Sequence, residues 1–207
     1  MVVKHQLQCR CGTIQGFVTD PKAANHVVCY CKDCQAFAHF LGQDREILDA
    51  RGGSEVVQTA PQNVRFTQGV ASIACMRLTE KGLLRWYADC CKTPIGNTMS
   101  TPKISFVGLL HSCLQNSSQK IEQTFGPVRA WANTQGAKGE PKPKAAGIAR
   151  TVAWVLRTTL KARLTGGYKS TPFFNILRAA PIVQPRLLSE VERARIMALV
   201  DASPLVS

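Results

Sequence analysis

Cys29-Tyr30-Cys31-Lys32-Asp33-Cys34 is the stretch whose reading decides what kind of chain this is. Cys9-Arg10-Cys11-Gly12 precedes it and Cys90-Cys91-Lys92-Thr93-Pro94 follows, so seven of the nine cysteines fall in three clusters. Residues i and i+2 of a strand point to one face, so Cys9 and Cys11 can converge on one ion, as can Cys29 and Cys31, with Cys34 reaching back from a following turn. Gly12 permits the sharp exit that such a knuckle needs. Zinc prefers four tetrahedral ligands, and thiolates satisfy it well. The competing reading, that a free cysteine is a small buried hydrophobe, suits Cys75 and Cys113, which stand alone in apolar strand candidates.

Composition narrows the setting of these clusters. The chain has 207 residues, 45% of them hydrophobic, which is enough for a real core and excludes wholesale disorder. No apolar run is long enough to span a bilayer. Residues 1–9 are polar and show no secretory signal, so a cytoplasmic chain is expected. A reducing compartment keeps thiols free, and clustered cysteines then point to metal binding or catalysis rather than disulfides. The net charge of +13 is uneven: residues 1–119 carry 12 basic and 8 acidic side chains, residues 120–207 carry 14 and 5. Cysteines and excess positive charge thus occupy different ends.

Short strands are predicted over 5–19, 27–30, 55–59, 73–78, 83–87 and 104–110, with Glu80-Lys81-Gly82 turning a hairpin. No repeat is visible, which excludes solenoids and propellers. Gly, Pro and Lys replace apolar residues after Asn133, marking a solvated connection. Beyond it, Ile148, Val152, Val155, Leu156, Leu160 and Leu164 recur at helical spacing, with Arg150, Arg157 and Lys161 on another face and Gly166-Gly167 as the stop. The apolar stripe is expected to pack on the β domain. Residues 170–175 read as an ordered loop with an aromatic anchor, and Ser189 with Glu192 fits a capping box opening a last helix. The expected fold is mainly β: a zinc domain of short antiparallel strands over 1–125, a linker over 126–145 and a basic helical extension over 146–207.

The order Cys-x-Cys-Gly, then Cys-x-Cys-x-x-Cys, then the Arg85-Trp86-Tyr87 strand ending in a Cys near Thr93-Pro94 resembles the glutathione-dependent formaldehyde-activating enzyme family, which includes centromere protein V. The resemblance covers residues 5–115. It implies a β-tent-like fold with two zinc sites: a structural one using Cys9, Cys11 and Cys91, and an open one in which Cys29, Cys31 and Cys34 leave a position for a substrate thiol. The late motif departs from the family's Cys-x-x-Cys-Gly-Thr. Ala88 stands at its first Cys and Lys92 at its Gly, while Cys90 is extra. Cys90 either joins Cys91 through a tight turn, leaving the middle site open, or caps the middle site with a fourth thiolate and closes it.

An open site suits carbon–sulfur lyase chemistry on a thiol adduct of a small aldehyde, such as a glutathione conjugate, because a metal-held sulfur is a thiolate near neutral pH. His39 is the histidine nearest the triplet and a candidate catalytic donor; a structural histidine is the plainer reading. Asp33 can orient a ligand, or be a solvated loop carboxylate. The alternative is a non-enzymatic, zinc-stabilised binding module whose basic extension contacts nucleic acid, an acidic partner or an anionic membrane surface.

Overall fold

The computed structural model describes residues 3–115 and 120–202. Residues 1–2, 116–119 and 203–207, which fall within the expected domain bounds, lie outside this description. The stretch expected as one strand over 5–19 is a hairpin, because Gly12 adopts φ 79° and turns β1 (Lys4–Gln8) back into β2 (Gln15–Thr19). Then come β3 (Asn25–Cys29), α1 (Lys32–Leu41), α2 (Asp44–Ile47), β4 (Ser54–Thr59) and β5 (Val64–Gln68). β6 (Ile73–Arg77), β7 (Leu84–Ala88), β8 (Pro94–Thr98), β9 (Val107–Leu110), α3 (Ile121–Phe125) and β10 (Ala130–Ala132) follow. The chain continues through α4 (Ile148–Leu164), β11 (Phe174–Asn175), β12 (Ala180–Pro181), β13 (Arg186–Leu187) and α5 (Glu190–Ala202).

Strands β1-β2-β5 form a small antiparallel sheet, and β10-β3-β4-β9-β8-β7-β6-β13 form a mixed sheet of eight, parallel only at its two edge pairs. The small sheet covers one face of the large one. His5 and Leu7 of β1 point inward while Lys4 and Gln6 point out, and the buried side chains of all three strands meet Val57, Trp86, Ile95 and Leu109 in one core. On the other face, Phe37 and Leu41 of α1 and Val200 of α5 pack with Met76 and Tyr87. Cys75 and Cys113 are plain core residues, 3% and 0% exposed.

Three expectations are corrected. The fold is mixed α/β rather than mainly β, because α1 and α5 together cover one face of the large sheet. The linker and extension do not stand apart from the domain: β10 pairs with β3, β13 pairs with β6, and Phe173 is fully buried with its ring centroid 5.2 Å from that of Trp86. The apolar stripe of α4 faces solvent. Rotation of this helix is set at its start, where Gly147 (φ 73°) lies so close to the Arg129 carbonyl that a Cβ would stand 2.1 Å from it. Polar anchors hold that rotation: Trp154 Nε1 donates to the Ala23 carbonyl (2.9 Å) and Thr151 Oγ1 accepts from Asn25 Nδ2 (3.1 Å). The capping box is present at α5, with Glu192 N–H donating to Ser189 Oγ (3.2 Å) and Ser189 N–H to the Glu192 carboxylate (3.0 Å).

An ion pair between buried His26 and half-buried Glu55 ties β3, β4 and the turn after α3. His26, 0% exposed, faces the Gly126 carbonyl through Nδ1 (2.8 Å) and Glu55 Oε1 through Nε2 (2.7 Å). Both partners are acceptors, so the imidazolium, which donates from both ring nitrogens, is the form that satisfies both contacts. Burial opposes that charge, but the Glu55 and Gly126 hydrogen bonds outweigh it and raise His26; the same contact lowers Glu55.

Phe173→Ala is expected to cost about 3–5 kcal/mol in urea unfolding, and a fragment of residues 1–125 is expected not to fold, since it lacks β10 and exposes Trp86. A cooperative transition from that fragment refutes the interlaced organisation. For the ion pair, His26 adds stability in full below its ordinary value of 6.5 and loses it as pH rises through its higher folded value. Glu55 adds stability above its ordinary 4.5 and loses it as pH falls through its lower folded value. The Tm deficit of Glu55→Gln is therefore largest between pH 4.5 and 6.5 and shrinks on either side.

Candidate metal centre

The β1–β2 turn and the β7–β8 turn meet at four thiols, Cys9, Cys11, Cys90 and Cys91, whose sulfurs lie within 4.8 Å of one another. Sγ–Sγ distances are 3.5 Å for Cys9–Cys11, 3.3 Å for Cys11–Cys90, 4.0 Å for Cys9–Cys90 and 3.9 Å for Cys90–Cys91. Four sulfurs at about 2.3 Å from a tetrahedral ion stand about 3.8 Å apart, so the group has the size of one such ion. Each turn aims polar hydrogens at its sulfurs. Ile14 N–H donates to Cys9 Sγ (3.2 Å), and the Thr13 and Thr93 hydroxyls lie 3.2 and 3.1 Å from Cys11 and Cys91 Sγ. The Thr13 hydroxyl and amide hold Cys11 down to about 6, whereas burial and then the Cys11 contact push Cys90 up to about 12.

Cys90 reaches this group because residues 89–92 form a tight turn, closed by Lys92 N–H to the Ala88 carbonyl and Ala88 N–H to the Thr93 carbonyl, both 2.8 Å. Lys92 takes the left-handed conformation, φ 58°, at the position where the late motif departs from glycine. The Asp89 carboxylate, 2.6 Å from Lys92 Nζ, steadies it there.

A second group, Cys29, Cys31 and Cys34, also has its sulfurs within 4.8 Å of one another. Cys29 ends β3; Cys31 is the N-cap of α1, its Sγ accepting from Cys34 N–H at 3.4 Å; Cys34 lies in the first helical turn. The helix N-terminus favours negative charge at all three. The Cys31 and Cys34 thiols facing Cys29, with the Asn133 amide, hold it far below the ordinary thiol range. Cys31 and Cys34 are pushed up in turn, chiefly by their contacts with Cys29. Each group can hold one metal ion. The first offers four sulfurs, and the second offers three among the described residues.

Other candidates separate clearly. His39 lies beside Asp44, Nδ1 to Oδ1 3.7 Å, and its ring is not among the three thiols. Asp33 stands exposed in the first turn of α1, 3.8 Å from the Nη2 of Arg85. Three contributors were not legible as site residues. Asn133 Nδ2 donates to Cys29 Sγ at 3.3 Å. Arg85, 2% exposed, donates to Asn97 Oδ1 (3.2 Å) and sets a buried cation under the start of α1. Gln35 Nε2 bridges the Tyr30 and Gly136 carbonyls at 2.9 Å each, clamping the loop that carries Asn133. The only sequence signal for that clamp is Gly136, where a Cβ would stand 2.2 Å from the Tyr30 carbonyl oxygen.

Gly136→Ala is therefore expected to push the Asn133 loop off Cys29. It should lower metal affinity at the three-thiol group at least about tenfold and leave the four-thiol group unaffected, as read by metal content after competition with a chelator. Equal loss from both groups contradicts this division.

A search of the curated proteins finds no match to the chain. A family model does match, over residues 1–182, which includes both thiol groups and runs through the expected linker into the C-terminal segment. The chain belongs to the family of unknown function DUF6151.

Proposed function

We propose that this is a zinc protein of carbon–sulfur chemistry. Cys9, Cys11, Cys90 and Cys91 hold a structural ion, and Cys29, Cys31 and Cys34 hold a second one whose remaining position admits the sulfur of a small thiol such as glutathione. The observation that carries this reading is the division of seven thiols into a group of four and a group of three. A site closed by four thiolates serves structure, and a site with three protein ligands keeps a place for substrate. Sulfur donors in tetrahedral spacing suit zinc. Nine free thiols suit a reducing compartment, the cytoplasm.

The chemistry this arrangement fits is reversible addition of a thiol to a small aldehyde. The sulfur forms a bond to the carbonyl carbon, the C=O π pair passes to oxygen, and the thiol proton ends on that oxygen as a hydroxyl; the reverse step breaks the C–S bond and returns the proton. No oxidant or reductant is needed. Zinc, when bound, stabilises sulfur as the thiolate near neutral pH. Asn133 fixes Cys29 by its 3.3 Å amide contact, and the α1 N-terminus supplies positive potential at the group. The similarity of the three cysteine clusters to the motifs of the glutathione-dependent formaldehyde-activating enzymes supports the same assignment.

Two zinc ions per chain are expected in the purified protein, falling to one in Cys34→Ala. With cobalt in place of zinc, glutathione should change the sulfur charge-transfer band of one site only, and the protein should speed exchange between S-hydroxymethylglutathione and free formaldehyde seen by NMR. A single ion per chain, iron in place of zinc, or a cobalt spectrum indifferent to glutathione overturns the open-site reading. Thiol binding without faster exchange retains the site and removes the enzyme.

A further inference from the structure

Helix α4 turns its aliphatic side chains away from the domain. Ile148, Val152, Leu156, Leu160 and Leu164 are 40, 52, 66, 60 and 80% exposed. They follow one another at intervals of four and so form one continuous, slowly winding row. Isolated exposed aliphatics are ordinary on a protein surface, whereas five in one row on one helix mark a contact surface. The opposite side is taken: Ala162 is buried, and Thr151 and Trp154 hold the helix to β3 and the turn before it. The helix cannot turn its row inward without breaking these anchors.

Charge says what covers the row. The helix carries Arg150, Arg157, Lys161 and Arg163 and no acidic residue. Among the described residues no ion pair reaches any of them. Arg157 and Lys161 flank the row beside Leu160 and Leu164, and with Arg150, Lys22 and Arg129 they line a cleft of about 330 Å³ in which Asp20 is the one carboxylate. A second copy of this chain would bring the same cations against these and offer no acid from its own helix. A nucleic-acid backbone would satisfy the cations and leave five aliphatics in water. A surface that is apolar at depth and anionic at its rim matches both.

We propose that α4 is an interfacial anchor lying flat on an anionic phospholipid bilayer. Its aliphatic row enters the boundary between headgroups and acyl chains, and Arg157 and Lys161 beside it meet the lipid phosphates. The 17 residues of the helix give a contact about 25 Å long. No helix among the described residues is long and apolar enough to cross the membrane, so the contact is in the plane of the surface. The proposal rests on α4 alone and stands apart from the metal chemistry of the thiol groups.

The test is sedimentation of the full-length protein with vesicles of phosphatidylcholine alone and of phosphatidylcholine with phosphatidylserine at about 2:1. Binding to the anionic vesicles should exceed binding to the neutral ones at least about tenfold and weaken as salt is raised. Leu156→Gln with Leu160→Gln, which keeps helix propensity and removes no buried contact, should lower binding at least about tenfold with Tm unchanged. Arg157→Glu with Lys161→Glu should abolish the preference for anionic vesicles. Failure of the wild type to bind anionic vesicles overturns the proposal. So does a leucine variant that binds like wild type, which assigns the surface to charge alone, as for nucleic acid. A wild-type dimer that the leucine variant dissociates, without vesicle binding, assigns the row to self-association and overturns it as well.

Discussion

Two turns 81 residues apart in the chain meet at four sulfurs, and much of the remaining architecture depends on that junction. Thiolates this close repel one another, so more than one of them ionises only with a cation between them. A divalent ion there turns repulsion into a cross-link that closes a long loop. Such an ion would fix the β1–β2 hairpin over β7 and β8, where Cys9, Leu7 and Ile14 share a core with Trp86 and Ile95. The left-handed conformation of Lys92 costs about 1 kcal/mol or more for a residue with a side chain. That strain is tolerated because the turn it permits carries two of the four sulfurs.

Helix α1 joins the second thiol group to the opposite face of the large sheet. Its N-terminus faces Cys29, Cys31 and Cys34, while Phe37 and Leu41 bury their side chains with Met76 and Tyr87. The helix dipole is therefore held in place by hydrophobic packing rather than by the thiols themselves. Arg85 belongs to the same arrangement, with its guanidinium 5.5 Å from the Phe37 ring centroid and 3.8 Å from the Asp33 carboxylate. A buried cation is costly unless it is paired, and Asp33, together with the Asn97 amide oxygen 3.2 Å away and the Phe37 ring face, provides that pairing.

The clustering of the cysteines is legible because their spacing is local: two residues in a strand, or three across a helical turn, bring sulfurs together wherever the segment is placed. The Cys90 position was not, since it depends on whether residues 89–92 turn or extend, and the tight turn requires a left-handed residue that Lys92 does not advertise. Helix α1 was hidden for a related reason. Cys34, Phe37, Ala38 and Leu41 have helical spacing, but the cysteines invite a reading as a turn after a strand. β8, over Pro94–Thr98, begins with a proline and contains Gly96, both of which argue against a central strand by propensity; burial between β7 and β9 overrides them. Asn133 and Gly136 sit in a stretch whose Gly, Pro and Lys content reads as solvent-exposed linker. Their role comes from contact with Tyr30 and Cys29, more than a hundred residues away, which no local pattern encodes.

The same stretch explains why the basic C-terminal part cannot be treated as an appendage. β10 pairs in parallel with β3 over Val27, Val28 and Cys29. One end of β10 leads to Asn133, whose amide meets Cys29. Trp131 bridges to Ala146 just before α4 begins, and Gly147 is pressed on Arg129 just before β10. A short strand thus lies between the three-thiol group and the helix that carries the exposed aliphatic row. Backbone hydrogen bonds fix it on both sides, so the row's orientation relative to the thiol group is set by the sheet rather than by a flexible tether. On a bilayer, the plane defined by α4 would therefore determine which side of the large sheet faces lipid and which faces water, and a thiol substrate would reach Cys29, Cys31 and Cys34 from one fixed direction.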